Sequence, residues 1–144
     1  RSTTLDVPVG SWFLLVGQRT GSTKELWTVP MAASPAPVLV GSSTATIGAC
    51  TFSTPAMIGR RRCRQITNDD LKSATVAWVA RANAALSQGQ MKALAALACP
   101  KEVAPWIEYM PFMVQASSYK APIGGGTYTQ TGFPTLGTQP VRLW

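Results

Sequence analysis

The sequence has no histidine and few acids, and both shortages limit its chemistry. Histidine is the usual general base near neutral pH, completes Ser-His-Asp and Cys-His catalytic sites, and ligates zinc. Of the six acidic residues among 144, Asp69 and Asp70 are adjacent, so on a helix their side chains diverge by about 100° and cannot jointly hold a metal ion or act on a glycosidic bond. We therefore predict that the protein is not an enzyme, and the sequence indicates no cofactor, no metal site and no small-molecule substrate.

Cysteine is also scarce. The three cysteines, Cys50, Cys63 and Cys99, are odd in number and include no C-x-x-C pair, so they do not form a disulfide framework. One bridge with a free thiol and three buried reduced thiols both stay open. Cys63 lies among four arginines, and positive surroundings favour the reactive thiolate. Without a base beside it, redox sensitivity or disulfide exchange is the most enzyme-like activity that the sequence supports.

Charge of either sign is rare, and no long apolar run is present. Charged residues make up 13% of the chain, about half of the roughly 25% in an average soluble domain. Interface cores exclude charge, so such a neutral surface favours burial against other subunits, although a weakly charged secreted or surface protein would share it. We expect a homo-oligomer. No run reaches the roughly 18 apolar residues that a membrane-spanning helix needs, so we expect no membrane span.

What the sequence does contain is a change of apolar period near residue 60. Before it, apolar runs separated by Gly, Pro and Ser predict strands. Segments 9–16 and 25–29 are expected to form a hairpin through a polar loop at 17–24, which lacks the Gly-Lys-Ser/Thr of a phosphate loop. Further strands at 38–40 and 44–52, divided at 41–43, complete a predicted antiparallel sheet over residues 9–52.

Beyond residue 66, apolar residues recur at three and four positions, which is the helical period. Thr67 and Asp70 have capping-box spacing, and the segment 87–89 breaks the run because its glycine suits a helix C-terminus. We predict helices over 67–86 and 90–99 that back the sheet, the second of them ended by Pro100.

The fold class is therefore predicted as α+β in one domain. After Pro100, the residues from Val103 to Met110 keep a helical spacing. Pro105 and Pro111 limit any helix before or between them to about one turn. The predicted parts are a β-rich half (1–58), a basic connector (59–66), a helical centre (67–116) and an extended Gly- and Pro-rich tail (117–144). The glycines at 124–126 lack the strand-to-helix context of a dinucleotide site.

The basic connector carries the strongest charge signal. Four arginines occur within five residues, namely Arg60, Arg61, Arg62 and Arg64. With thirteen basic and six acidic residues in the chain, few carboxylates can pair with them. Three interpretations stay open: phosphate contact with nucleic acid, ion pairing with a protein partner, and a solvated turn.

The tail is rich in glycine and proline yet too apolar for a disordered linker. Its large apolar side chains are Tyr128, Phe133, Leu136, Leu143 and Trp144. Burying one such side chain stabilises by about 1.5–3 kcal/mol, so leaving all five in water would forgo several kcal/mol. We predict that the tail is ordered and extended, adds an edge strand near 127–131, and forms an assembly interface with another copy of the chain.

In overall character the chain looks like a piece of a non-enveloped virus coat protein. The shared features are Ser-, Thr-, Gly- and Pro-rich β segments, low charge, a basic patch and a long apolar tail. The resemblance implies a structural capsid subunit or capsid-associated domain that self-associates in the virion. The helical centre departs from a simple jelly roll and leaves open whether a shell or a projecting domain is meant. The alternative is a nucleic-acid-binding accessory protein that uses the arginine cluster.

Overall fold

A computed structural model of the protein describes residues 10–46, 76–96, 99–111 and 118–129. Within these ranges the chain forms seven strands and two helices, so the described part is α+β and consists mostly of strand, in agreement with the predicted class. The elements in chain order are β1 (Phe13–Thr20), β2 (Thr23–Pro30), β3 (Val38–Ser43), β4 (Trp78–Ala82), α1 (Gln88–Ala95), α2 (Pro100–Val103), β5 (Trp106–Pro111), β6 (Ser118–Lys120) and β7 (Thr127–Thr129).

The predicted hairpin is present, but its turn is much shorter than the predicted loop at 17–24. Strands β1 and β2 pair antiparallel all the way to Thr20 and Thr23. Gly21 has φ +59°, which suits the first central position of a two-residue hairpin turn. Gly17, which the sequence assigns to the loop, lies inside β1 because the strand on either side of it pairs with β2.

Strand β3 joins the hairpin on the β2 side, so the first sheet has the order β1-β2-β3. Its register shifts once, because Leu26 pairs with Gly41 and Trp27 with Leu39, and Val40 has no partner on β2. The predicted division at 41–43 is wrong, since β3 continues to Ser43. Residues 44–46 are not strand, and the remainder of the predicted strand at 44–52 lies outside the described residues.

The core lies between this sheet and α1. Its buried members are Val16, Val29, Met91 and Ala95, with Leu14, Trp27 and Leu86 packed against them. Met91 and Val29 are 0% exposed, so the apolar side of α1 is sealed against one face of the hairpin. The second predicted helix thus corresponds to α1, which contacts β1 and β2. Removing the apolar side of the helix from water stabilises this contact.

The ends of both helices differ from prediction. Ser87 does not break a helix but begins α1: its hydroxyl accepts from the amide of Gln90 at 3.2 Å, and the Gln90 side chain accepts from the amide of Ser87 at 2.9 Å. This reciprocal capping box tolerates the glycine in the first turn. Pro100 does not end a helix but begins α2, because a proline in the first turn loses no hydrogen bond.

The helix predicted over 67–86 is wrong where it can be compared. Residues 67–75 lie outside the described ranges, whereas Trp78–Ala82 is strand β4, paired antiparallel with β5. The pairing places the Trp78 ring 6.3 Å from that of Trp106 and 6.1 Å from that of Tyr109, measured between centroids. Cross-strand contacts of large aromatic side chains outweigh the helix propensity of the neighbouring alanines.

The helical spacing noted from Val103 to Met110 does not produce a helix across that segment either. Pro105 and Pro111 block a helix there, and Trp106–Pro111 instead forms β5. Strand β5 also bonds to a residue outside β4, because the amide of Tyr109 in β5 donates to the carbonyl of Ile123 at 3.2 Å. Ile123 therefore lies against β5.

Strands β6 and β7 form a separate antiparallel pair in which Tyr119 is opposite Tyr128. Strand β7 falls within the segment 127–131, where the sequence predicts an edge strand. Residues 130–144 lie outside the described ranges, so the packing of the tail on another copy stays a prediction. Among the described residues, no helix combines the length and the apolar character needed to cross a membrane.

Candidate functional site

The two sites predicted from the sequence fall almost wholly outside the described residues. This holds for the arginine cluster (Arg60, Arg61, Arg62 and Arg64) and for Phe133, Leu136, Leu143 and Trp144 of the tail. Tyr128 alone is placed, on β7. Both sites stay predictions, and the candidate site below is built from other residues.

Among the described elements, α1 packs on only one face of the first sheet. Side chains alternate along β1, so Val16 is 8% exposed beneath α1 while its neighbour Leu15 is 50% exposed on the opposite face. The register carries this second face across the sheet through Thr28 to Val38, which is 54% exposed. We call it the open face. Its large apolar members are Phe13, Leu15, Leu26 and Val38.

The open face changes from apolar to basic towards the hairpin turn. Leu26 lies between Gly17 on β1 and Gly41 on β3, so no neighbouring side chain covers it from either strand. In the next row Arg19 and Lys24 are directly opposite one another. Their charged groups reach different acceptors, because Arg19 donates to the carbonyl of Gly21 and Lys24 donates to that of Ala45, so this end of the face is basic.

The opposite face is tied to the start of α1 by a polar network. The Gln18 side chain accepts from the amide of Leu86 at 3.0 Å and donates to Glu25 at 2.9 Å. The indole of Trp27 donates to the same carboxylate oxygen at 3.0 Å. Hydrogen bonds from Gln18 and then Trp27 stabilise the charged form and lower the pKa of Glu25. Gln18 thus holds the chain before α1 in place beside β1.

The outer edge of β1 offers a row of backbone groups. In a two-residue hairpin the closing pair, here Thr20 and Thr23, is hydrogen-bonded, and bonded pairs then alternate along the ladder. The amide of Met31 donates to the carbonyl of Trp12 at 3.1 Å, which fits the same phase. The outward N–H and C=O groups therefore belong to Phe13, Leu15, Gly17 and Arg19. No described strand pairs with that edge.

A cleft of about 320 Å³ runs along this edge. One wall is β1 from Leu14 to Arg19, and the other is formed by β4 and the segment 83–86. Four alanines line the second wall: Ala80, Ala82, Ala84 and Ala85. Two of them, Ala82 and Ala85, were predicted on the apolar face of a helix, and in the structure all four leave room opposite the strand edge. We call this space the cleft.

The cleft contains two arginines and aromatic rings but no acid among its described lining residues. Arg19 donates through Nε to the carbonyl of Gly21 at 2.7 Å, which leaves its other guanidinium donors available. Arg81 lies 3.5 Å from Glu108, measured from Nε to Oε2, with its side chain 70% exposed. Trp78 and Trp106 line the same cleft.

Behind these rings lies Tyr109, which is fully buried. Its hydroxyl has no hydrogen-bond partner among the described residues. Burial, and secondly the nearby Cys99, raise the pKa of Tyr109 to about 12. Cys99 is half-buried and forms no disulfide. A buried phenol held neutral in this way serves packing rather than proton transfer at physiological pH.

Chemically, the arrangement suits binding to another chain. Within the described ranges, no three His, Cys, Asp or Glu residues come together as a metal site would require. The described features are instead an uncovered aliphatic face, an open strand edge and a cationic cleft. The first strand was predicted as a continuous apolar run, and such a run does not show which face of β1 α1 leaves uncovered.

Compared with known proteins, the chain matches no family model and is not significantly similar to a curated protein or to a solved structure. What the protein does is therefore inferred from its own residues.

Proposed function

We propose that the protein is a non-enzymatic structural subunit that self-associates, and specifically a coat subunit or capsid-associated domain of a virus. The observation that carries the proposal is the open face. Leu15 and Val38 keep 50% and 54% of their surface in water although both lie in paired strands of one face. Exposed aliphatic side chains that share one face of a sheet mark an interaction surface.

The energetics favour a copy of the chain as the partner on this face. Apolar surface removed from water stabilises by about 25 cal/mol per Å², and a two-fold contact counts every residue twice. The low charge of 13% in the whole chain also reduces the desolvation cost of burying neighbouring surface. Self-association through the open face would therefore gain from each exposed aliphatic residue on both copies.

Sedimentation velocity of the full chain between low and high micromolar concentration tests this proposal. We expect a concentration-dependent shift to dimers or larger species. The double variant Leu15→Thr, Val38→Thr keeps β-forming residues in the strands and should shift the protein towards monomer. Leu39→Thr is the matched control, because Leu39 is 44% exposed but pairs with Trp27 and so faces away from the open face.

A clean monomer of the natural chain at high micromolar concentration would contradict self-association. If association survives the double variant but is lost in Leu39→Thr, the interface lies on the face of Leu39 and not on the open face.

The predicted role of the tail can be separated from that of the sheet. Removal of residues 130–144 spares every described strand, including β7. If the tail packs on another copy, its loss should weaken association more than it lowers the melting temperature. Normal assembly of the shortened chain would remove the tail from the interface and leave the open face to be judged by its own variants.

A second candidate is nucleic-acid binding by the arginine cluster. The structural observation that favours a basic surface is the opposed pair of Arg19 and Lys24, two cations that phosphates could contact beside the cluster's own. Binding to single strands should then weaken with salt at a slope of about −0.7 per phosphate contact. Affinity that is unchanged when Arg60, Arg61, Arg62 and Arg64 all become alanine would remove this candidate.

A further inference from the structure

We infer that the cleft between β1 and β4 binds an extended peptide segment of a partner protein, one that carries acidic as well as apolar side chains. This site shares Leu15, Gly17 and Arg19 with the open face but does not depend on self-association. It would add a strand to the outer edge of β1.

The backbone of β1 supplies the first reason. Every second residue of β1 directs both its N–H donor and its C=O acceptor outward. Another peptide strand pairs with this pattern. Gly17 lies in the middle of this outward row, and no described strand bonds to its outward N–H and C=O groups.

The dimensions of the cleft suit a short stretch of main chain. Its volume of about 320 Å³ is at the lower end of ligand pockets, which are roughly 300–1,000 Å³. The facing wall carries alanines at Ala80, Ala82, Ala84 and Ala85 between its longer side chains, and these small side chains leave room for a strand beside β1. A few residues of extended chain fit such a space, whereas a folded domain does not.

The side chains of the cleft define the chemistry of its occupant. Arg19 and Arg81 both line it, and none of the described lining residues is acidic. A carboxylate on the peptide would be paired with guanidinium groups, which favour bidentate contact. Trp78 and Trp106, with ring centroids 6.3 Å apart, offer an aromatic surface to an apolar side chain beside it.

A peptide fits better than the two competing occupants. Phosphate groups present acceptors only, so they cannot pair with the carbonyl half of the β1 edge. A second copy of this chain has only six acidic residues against thirteen basic ones, so it supplies few carboxylates for the two arginines of the cleft. The acidic segment therefore belongs to a different protein.

Fluorescence anisotropy with the full chain tests the site. The probe is a fluorescein-labelled decapeptide of alternating valine and glutamate, which presents acids on one side and apolar residues on the other. We expect saturable binding that weakens as salt is raised. The same peptide with lysine in place of glutamate should bind at least tenfold more weakly.

Two sets of variants locate the binding. Gly17→Pro removes one outward N–H while sparing the ladder to β2, because proline is accepted on an exposed edge. It should weaken binding at least tenfold, whereas Gly17→Ala keeps the N–H and should stay within about twofold. Arg19→Gln with Arg81→Gln should weaken binding at least fivefold. Lys92→Gln with Lys101→Gln removes equal charge from exposed positions outside the cleft and should have little effect.

Circular dichroism and melting curves establish that each variant is folded, and the arginine pair decides the question if Gly17→Pro unfolds. Failure of the acidic peptide to bind, or binding that neither variant set weakens, would overturn the inference. So would an unlabelled uridine decamer that displaces the peptide and binds more tightly in an arginine-dependent way. Loss of self-association in Gly17→Pro without any peptide binding would assign the edge to a second copy instead.

Discussion

The two faces of the first sheet are built from the same strands, yet they differ in how far their side chains are exposed. Val16 and Leu15 are neighbours in β1, but the first is 8% exposed beneath α1 and the second is 50% exposed on the open face. Val29 is 0% exposed on β2, whereas Val38, on the other face, is 54% exposed. Both faces carry aliphatic residues, so hydrophobicity alone does not decide which becomes core.

What separates the faces is the helix that covers one of them. Met91 and Ala95 of α1 seal Val16 and Val29, and the Gln18 network fixes the approach to that helix. No comparable element of the described residues packs on the open face. If this comparison is right, substitutions on the covered face should act on folding and those on the open face on association.

The largest effect on stability is expected at the centre of the covered face. Met91→Ala deletes a side chain that is 0% exposed, and large-to-alanine changes in cores cost about 2–5 kcal/mol. Urea denaturation measures the loss. Leu15→Ala on the open face is the matched control, with an expected cost below about 1 kcal/mol because half of that side chain is already in water. Equal losses at both positions would erase the difference between the faces.

A smaller effect is expected where the network ties the sheet to α1. Gln18→Ala leaves the amide of Leu86 without its acceptor and should cost about 1–2 kcal/mol, since a partly buried donor loses its partner. Gln88→Ala, at an exposed position in the first turn of α1, should be nearly neutral. A Gln18 variant as stable as the natural chain would show that the network does not support the covered face.

The same network should respond to acid. Because hydrogen bonds lower the pKa of Glu25 from 4.5, its contribution to stability is present above that pH and is lost as pH falls further. Melting temperatures of the natural chain should therefore drop in acid more steeply than those of Glu25→Gln, which keeps an acceptor but does not titrate. Parallel acid profiles would contradict this contribution.

Tyr109 is expected to show its effect only at alkaline pH. Its folded-state pKa of about 12 lies above the ordinary 10.0, so stability is full below pH 10 and declines as pH rises from there through 12. Tyr109→Phe removes a buried hydroxyl without a described partner and should be neutral or slightly stabilising at pH 7. The variant should lose less stability than the natural chain above pH 10, which alkaline denaturation curves measure.

The smallest stability change is expected on the open face. Leu15→Thr with Val38→Thr should alter the free energy of unfolding by no more than about 0.5 kcal/mol per site, as surface substitutions usually do. Thermal denaturation at low micromolar concentration, where copies are separated, isolates this term. A large loss under those conditions would mean that the open face belongs to the folding core.

The parts of the fold that the sequence predicted correctly depend on short-range patterns. The β1–β2 hairpin follows from apolar runs flanking a turn. Its loop was predicted too long, because Gly17 looks like turn material although it pairs within the strand, and its first strand was predicted to begin too early, because residues 10–12 are not strand. The second helix was placed within a few residues because Met91, Leu94 and Ala95 share one face and are all buried.

Long-range pairing explains the main errors. Alanine-rich Trp78–Ala82 has helical spacing, but β5 recruits it into a sheet, and no local pattern shows where β5 will be. The candidate site could not be predicted for the same reason. The cleft joins β1 to residues some sixty positions later in the chain, and the open face is defined by what α1 leaves uncovered.

Because Val40 has no partner, β3 carries one residue more than β2 across this stretch. A slip of its first half by one residue would pair Val40 with Trp27 and Leu39 with Thr28, turning Leu39 onto the open face and Val38 away from it. Such a slip would exchange valine for leucine on the open face without any change in the sequence. Deleting Val40 would leave Val38 opposite Thr28 and remove the extra residue that a slip requires.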